Sequence, residues 1–461
     1  MRVLLLSPPQ KNVYGRVGPP YPPLGLLQIG ACLKKKGHDV RFLDVALYPR
    51  EVEPALRDSR PDLVCITSVT PTYPAALELA GLTRRICRAV VVMGGPHVSV
   101  LAGESLESGL IDYVVVGEGE ETVVELTAAL EGGDPSTVKG ICTVLNGRPA
   151  CTGERGPIHD LDVLPFPDWS LIRHNAAYAP PEALNGRVFT VITSRGCPFD
   201  CSFCASSRLF GRKIRRRSVR NVMEEIELLV REKGAEEIHF ADDCFTADRT
   251  WILELTRELK AAKLGTSFSF MNGLRADQVD AEVLKALKDA GVRTLGFGVE
   301  TGNRLLMERS GKRLSAGQVE AAFSMSRKDG FNTWGFFIVG FPGETEEQAR
   351  STLDLSLKLD PDFAKFFPLV PFPGSRIFEE MRKKGMLGHP DWAELNLYSK
   401  NVPTLAHMDS EQIARVISRF YRRFYLRPGK FLSRLVRIRS PREFWLHLRM
   451  LVFLVDRFTS V

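Results

Sequence analysis

The sequence predicts an α/β chain in three parts. A doubly wound, Rossmann-like parallel sheet comes first, then a partial, TIM-like (β/α)6 barrel, then a helical C-terminal region. Three observations carry this. Short apolar runs alternate with amphipathic segments over residues 1–130. The same alternation resumes at Val188 after a stretch rich in Pro and Gly. It stops near residue 375, beyond which only helical periodicity is left.

In the first part, residues 2–6, 39–45, 62–68, 89–95 and 113–119 read as five buried strands, with helices near 24–36, 51–58, 74–87, 98–107 and 120–130. Strand–helix alternation at this spacing means parallel βαβ units with helices on both faces. Three strands run into loop chemistry: SPP at 7–9, GGPH at 94–97 and GEGE at 117–120. In an open α/β sheet, ligands bind at the carboxyl ends of strands, and glycine lets a flat ligand approach the backbone. This domain is expected over 1–135, followed by a linker at 136–187 with a short hairpin at 141–151 turned by NGRP. The second series is expected over 188–374. Its strands are at 188–194, 237–243, 267–271, 293–300, 333–340 and 363–370. Its helices lie near 219–232, 248–262, 277–290, 303–309 with 315–329, and 345–358. In a barrel of this kind function sits on the C-terminal rim of the strands. Residues 375–461 are expected to be helical and basic.

A chain of 461 residues, 44% hydrophobic and 25% charged, is ordinary for a soluble protein of two or three domains. No run of 18 apolar residues occurs, and MRVLLLSPPQ is too short for a secretory signal. Six of the nine cysteines (Cys32, Cys65, Cys87, Cys142, Cys151 and Cys244) are scattered and read as buried thiols of a reducing compartment rather than a disulfide framework. A cytoplasmic location is expected. The net charge of +7 is uneven: from Arg415 onward it is +10, leaving the rest about −3. Residues 426–458 interleave Arg with apolar residues, and Phe444, Leu448, Leu451 and Val455 would share a helical face. That pattern suits either peripheral contact at the inner membrane face or packing on the barrel. No nucleic-acid module accompanies the charge.

TSRGCPFDCSFC follows the first strand of the second series and holds Cys197, Cys201 and Cys204 with no histidine near. A structural zinc site needs four ligands, and no second Cys knuckle exists. Spacings of three and then two residues fit three corners of a cubane iron–sulfur cluster, with the fourth iron left open. The Cys-x3-Cys-x-aromatic-Cys form, with Phe203 as the aromatic, resembles the signature of the radical S-adenosylmethionine superfamily. The resemblance implies that these thiolates hold a 4Fe-4S cluster whose free iron is chelated by S-adenosyl-L-methionine. Cleavage of that sulfonium then yields a 5′-deoxyadenosyl radical. The cofactor carries this chemistry and the protein orients it. The rim segments EIHFADDCFT, LGFGVETGN and GFFIVGFPGET are similar to that family's cofactor segments. They place Asp242, Asp243, Glu300, Gly340 and Glu344 with Phe203 around S-adenosylmethionine. For single acids here, an ordinary helix cap is the competing reading. Cys244 is expected to be a buried thiol, with an extra cluster ligand as the alternative.

No G-x-G-x-x-G follows the first strand, which argues against a dinucleotide site. YPPLGLLQIGACLKKKGHDVRFLD, VVVMGGPH and DYVVVGEGEET instead resemble the cobalamin-binding domain found in tandem with radical S-adenosylmethionine domains. The D-x-H-x-x-G motif that supplies a lower cobalt ligand is absent, and neither His38 nor His97 has its spacing. The resemblance implies that Ser68, Thr70, Gly94, Gly95, His97, Gly117, Glu118 and Gly119 lie against the corrin or its tail. It implies a cobalamin-dependent radical enzyme that moves a methyl group from methylcobalamin to an unactivated carbon. The alternative is ring formation, rearrangement or oxidation with the same cofactors, on a tetrapyrrole, lipid or natural product. Expected partners are a small, hydrophobic substrate and a reductant such as flavodoxin or ferredoxin. No protein acid or base is assigned.

Overall fold

The computed structural model describes residues 1–9, 21–178 and 180–427. The helical face expected at Phe444, Leu448, Leu451 and Val455 lies outside the described residues.

Seven strands form the first sheet: β1 (Arg2–Ser7), β2 (Asp39–Asp44), β3 (Leu63–Thr67), β4 (Val90–Gly94), β5 (Tyr113–Val115), β6 (Ile141–Leu145) and β7 (Arg148–Cys151). Their order is β2-β1-β3-β4-β5-β6-β7, with the first five parallel. The apolar runs are buried from both sides. Leu4, Leu6, Val64 and Ile66 face one core, while Val3, Leu5, Leu63 and Cys65 face the other. The strand order reverses at β1, between β2 and β3. That switch point opens a crevice beyond the carboxyl ends of β1 and β3.

Two expectations change here. The hairpin is part of this sheet, not of a linker: β6 pairs antiparallel with β5 through Val114↔Cys142 and Val115↔Ile141. Buried Ile141 and Cys142 thereby cover an edge that β5 would otherwise expose. The hairpin register also sets Cys142 directly opposite Cys151, and the two are disulfide-bonded. They are not separate thiols, because a cross-strand pairing brings together residues that composition treats as scattered.

The second sheet holds β8 (Val188–Val191), β11 (Glu237–Phe240), β12 (Ser267–Leu274), β13 (Val292–Glu300), β14 (Asn332–Val339) and β15 (Phe363–Pro368). All are parallel, each beside its sequence neighbour, the order of a partial barrel. Helices Val219–Arg231, Arg249–Ala262, Ala281–Asp289, Ala316–Lys328 and Glu346–Leu359 start at side-chain caps on Ser218, Asp248, Asp280, Ser315 and Thr345. The barrel stays open at β15. Helix Ser410–Tyr425 blunts that edge, its Tyr421 and Tyr425 hydroxyls bonding the backbone N–H and C=O of Phe366 and Ala364 at 2.8–3.2 Å. Between β8 and β11 stands a ribbon that the apolar pattern does not reveal. It pairs β9 (Ser194–Arg195) with β10 (Arg215–Arg216). Beyond residue 375 the described residues add helices Arg376–Lys383 and Ser410–Tyr425 but no strand. Among the described residues, no helix is long and apolar enough to cross a membrane.

Candidate functional site

The β9–β10 ribbon carries the cysteine loop between its strands. Gly196 sits at φ +97°, and a Cβ there would lie 2.5 Å from the Lys213 carbonyl, so only glycine lets the loop leave the ribbon. Cys197 N–H donates to Gly211 O (3.2 Å), closing the base of the loop. Its far side is clamped by Ser202 N–H on Ser310 O (2.7 Å) and Ile377 N–H on Ser202 O (3.1 Å). Phe203 packs edge-on against Phe341, centroids 5.9 Å apart. Among the described residues no three Cys, His, Asp or Glu side chains converge on a single-ion site. The thiols differ in character. A hydrogen bond from Cys244 lowers the Cys197 thiol to about 7, aided by Phe199 N–H and Arg275 against burial. Burial pushes Cys201 up to about 11 and raises Cys204. Cys244 is buried, and its own pKa is raised by its bond to Cys197 and by burial.

The rim acids separate into different roles. The Asp242 carboxylate accepts from Thr193 N–H (3.1 Å), Thr193 Oγ1 (2.7 Å) and Ser194 Oγ, and is buried under the ribbon. It braces the loop rather than facing the cavity, contrary to the pairing expected with Asp243. Asp243 does line the main cavity, bonded by Ser206 Oγ at 2.9 Å, with its pKa raised by burial. Glu300 ends β13 at φ +65° and pairs with Lys312, both buried. A Cβ at Gly298 would fall on both members of that pair, which is why glycine precedes them. Lys312 was not singled out in the sequence, where SGKRL reads as a loop. Gly340 (φ +106°) and Phe341 donate their N–H groups to Glu344 Oε2, while Glu344 Oε1 is buried without a partner. Burial outweighs the two backbone bonds and pushes Glu344 up to about 7. The cap of the following helix is Thr345, so Glu344 is not that cap.

A cavity of about 470 Å³ opens where the two sheets meet. Gly94, Gly95, Gly117, Glu118 and Gly119 line it from the first domain, and Ser194, Arg195, Phe210 and Asp243 from the second. Gly95 has φ +108°, and its Cβ would meet Ser68 O at 2.6 Å. Gly117 has φ +78°, and its Cβ would meet nothing within 4 Å. Ser68, Thr70 and His97 are buried and lie behind the cavity lining, next to Val69, Thr72 and Pro96, which do line it. His97 stacks on Tyr73 (4.1 Å) and meets Trp392 edge-on (4.7 Å), and its Nδ1 lies 3.3 Å from Thr70 Oγ1. Burial lowers its pKa to about 3, so the ring is a neutral packing element. Glu118 is also redirected, onto Arg195 and Arg215. Val69 and Thr72 line the cavity from the loop at 68–73, and Tyr21 and Ser99, which also line it, were missed. Tyr21 had a signal in YPPLG. Its hydroxyl lies 2.8 Å from His239 Nδ1, whose Nε2 lies 2.8 Å from Glu237 Oε1.

The B12 binding domain model matches residues 11–127, and the Radical SAM superfamily model matches residues 191–356. The protein named "uncharacterized methyltransferase PH0819" of Pyrococcus horikoshii is 34% identical over 436 residues, 93% of each chain. The chain belongs to the cobalamin-dependent radical S-adenosylmethionine enzymes. Another of this family's similar proteins is the anaerobic magnesium-protoporphyrin IX monomethyl ester cyclase of Cereibacter sphaeroides. It is 29% identical over 444 residues, 94% of this chain and 71% of that one. The fold matches the radical S-adenosylmethionine methyltransferase TsrM of Kitasatospora setae, solved with tryptophan and a cofactor analogue. That match has a TM-score of 0.71 at 22% identity, over 84% of this chain and 77% of that chain.

The cofactors of such an enzyme are a 4Fe-4S cluster, S-adenosyl-L-methionine and cobalamin, and the residues present fit them. Three thiols on one loop that do not converge on one point suit a cubane, where each binds a different iron. Coordination deprotonates a thiol outright, overcoming the burial that raises Cys201 and Cys204. The orphaned Glu344 Oε1 and the open space over Gly117 are vacant polar and steric positions of the kind such groups use.

Proposed function

We propose that this enzyme transfers a methyl group to an unactivated carbon of a small, largely apolar molecule. The carrying observation is a cavity walled by the glycine loops of one domain and, from the other, by Ser194, Arg195, Phe210 and Asp243, which flank the cysteine loop; the three cysteines, Phe203, Glu300, Gly340 and Glu344 lie outside its lining. In this reading Cys197, Cys201 and Cys204 hold the cluster. Phe203, Asp243, Glu300, Gly340 and Glu344 surround S-adenosylmethionine, while Gly94, Gly95, Gly117 and Gly119 carry the corrin. When bound, these groups supply the 5′-deoxyadenosyl radical and the methyl donor. The chain contributes orientation and a dry enclosure. The cavity lining is mostly apolar, with Leu24, Ile29, Val69, Val115, Leu209 and Phe210. Among the described lining residues the one cation, Arg195, is committed to Glu118 and Glu120. That supports a substrate without negative charge, because an anionic one would lack a counter-charge.

Anaerobic enzyme given a metabolite extract tests the reading by mass spectrometry. A product heavier by one methylene, with S-adenosylhomocysteine and 5′-deoxyadenosine, supports methylation. 5′-Deoxyadenosine without the mass gain supports ring formation or oxidation, a reading favoured by likeness to the cyclase. Cys201→Ala should abolish 5′-deoxyadenosine; unchanged cleavage overturns the enzyme assignment. The reductant is read as a flavodoxin or ferredoxin. The basic residues 426–458 are read as a peripheral membrane contact, supported by their Arg-rich, apolar composition. Flotation of the full chain, but not of one ending at Leu426, on anionic liposomes tests that contact.

A further inference from the structure

Glu118 lies between the two cavity-lining glycines of GEGE, yet its carboxylate points across the domain boundary. Oε2 accepts from Arg215 Nη1 (3.0 Å) and Ile158 N–H (2.9 Å), Oε1 accepts from Arg215 Nη2, and Arg195 Nη1 forms an ion pair with Oε2 at 3.4 Å. A carboxylate has about four acceptor sites, and three hydrogen bonds and an ion pair commit most of this one to the second domain. Arg195 also pairs with Glu120, and Arg215 donates to Ile158 O (2.6 Å) and Phe210 O (3.2 Å). The Glu118, Glu120 and Arg215 side chains are 5%, 7% and 4% exposed, and Arg195 is 17% exposed. Charges this deeply buried are costly unless paired, so the two loops are held in one mutual arrangement.

The arginines sit opposite each other on the β9–β10 ribbon. The ribbon continues into the cysteine loop, and Gly211, next to Phe210, accepts from Cys197 N–H. We propose that Glu118 is a positioning residue that fixes the glycine cradle of the first domain against the ribbon bearing the cysteine loop. It would thereby set the separation across which the sulfonium methyl passes to reduced cobalamin, leaving S-adenosylhomocysteine and methylcobalamin. This rests on the reading that both cofactors share the cavity.

The test uses full-length protein, Glu118→Gln and Arg215→Gln. The first readout is amide hydrogen exchange without added cofactors. Exchange should rise at least tenfold at 117–120 and 194–217 in both variants and stay unchanged in helix Arg249–Ala262. The second uses reconstituted enzyme with only S-adenosylmethionine, reduced cobalamin and dithionite. S-adenosylhomocysteine formation should fall at least tenfold while 5′-deoxyadenosine stays within threefold of wild type. The double variant should be no worse than the worse single. Unchanged exchange overturns the proposal, as does a parallel fall of both products, which would mark a merely structural role. Wild-type enzyme that makes neither product sinks the proposed function instead, and the exchange readout still judges the latch.

Discussion

Lys312→Met should be among the most damaging single changes in the barrel. Lys312 and Glu300 are 8% and 9% exposed as side chains and pair with each other. Removing the ammonium leaves a carboxylate buried at the end of β13 without its counter-charge, which costs about 3–5 kcal/mol. For a cooperative unit of this size, each kcal/mol moves the midpoint by about 2–4 °C, so the barrel transition should fall by roughly 6–20 °C. Differential scanning calorimetry of the full-length protein reads this directly. The double variant Glu300→Gln with Lys312→Met should recover most of the loss, because it leaves no buried charge. Gly298→Ala should cost less than Lys312→Met, since its methyl meets only the ends of the two side chains and leaves both charges to pair. A Lys312→Met midpoint within about 2 °C of wild type, or a double variant as unstable as the single, would refute the reasoning.

Other consequences are sharper in pH or in one measurement. Glu344 has its pKa raised to about 7, so the folded state keeps a proton that the unfolded state releases above its usual range. Stability is therefore lost as pH rises through about 7, and Glu344→Gln, which does not titrate, should gain about 3 kcal/mol on wild type between pH 4.5 and 8 in urea melts. His97 has the opposite sign: lowered to about 3, it contributes stability above its unfolded pKa that is lost as pH falls. His97→Phe should flatten the acid limb below pH 6 and leave cobalamin affinity within about threefold, because the ring packs between Tyr73 and Trp392. Tyr21→Phe should cost about 1–3 kcal/mol by removing the hydroxyl at His239, read in thermal melts with cluster content unchanged.

Patterns local in sequence were legible and partnerships were not. Buried strands announce themselves because β-branched and leucine runs such as 89–95 suit a sheet covered on both faces. The ribbon does not, since its residues are Ser and Arg. Asp242 and Asp243 are adjacent and chemically alike. What separates them is Thr193 and Ser194, which reach only Asp242. The packing of His97 was not legible because the ring that covers it, Trp392, lies nearly three hundred residues away. The hairpin looked like a linker because its covering role depends on the edge of β5. Glycines were the most readable of the site residues, since the need for positive φ or a close approach belongs to the backbone itself.

The distribution of charge bears on how the enzyme controls its chemistry. Around the cavity, Glu118 and Glu120 engage Arg195 and Arg215, and Asp44 accepts from Tyr178. Asp243 is bonded by Ser206. The lining thus offers geometry and enclosure more than committed acid–base groups. A radical intermediate needs the same conditions: few competing donors of protons, little water, and a partner at the right distance. Selectivity would then follow from what fits between the glycine loops and the cluster rim. Changing Val69 or Phe210 to alanine should broaden the set of accepted substrates while S-adenosylmethionine cleavage continues. A competition assay with mixed substrates measures that shift, and an unchanged product ratio in both variants would place selectivity elsewhere.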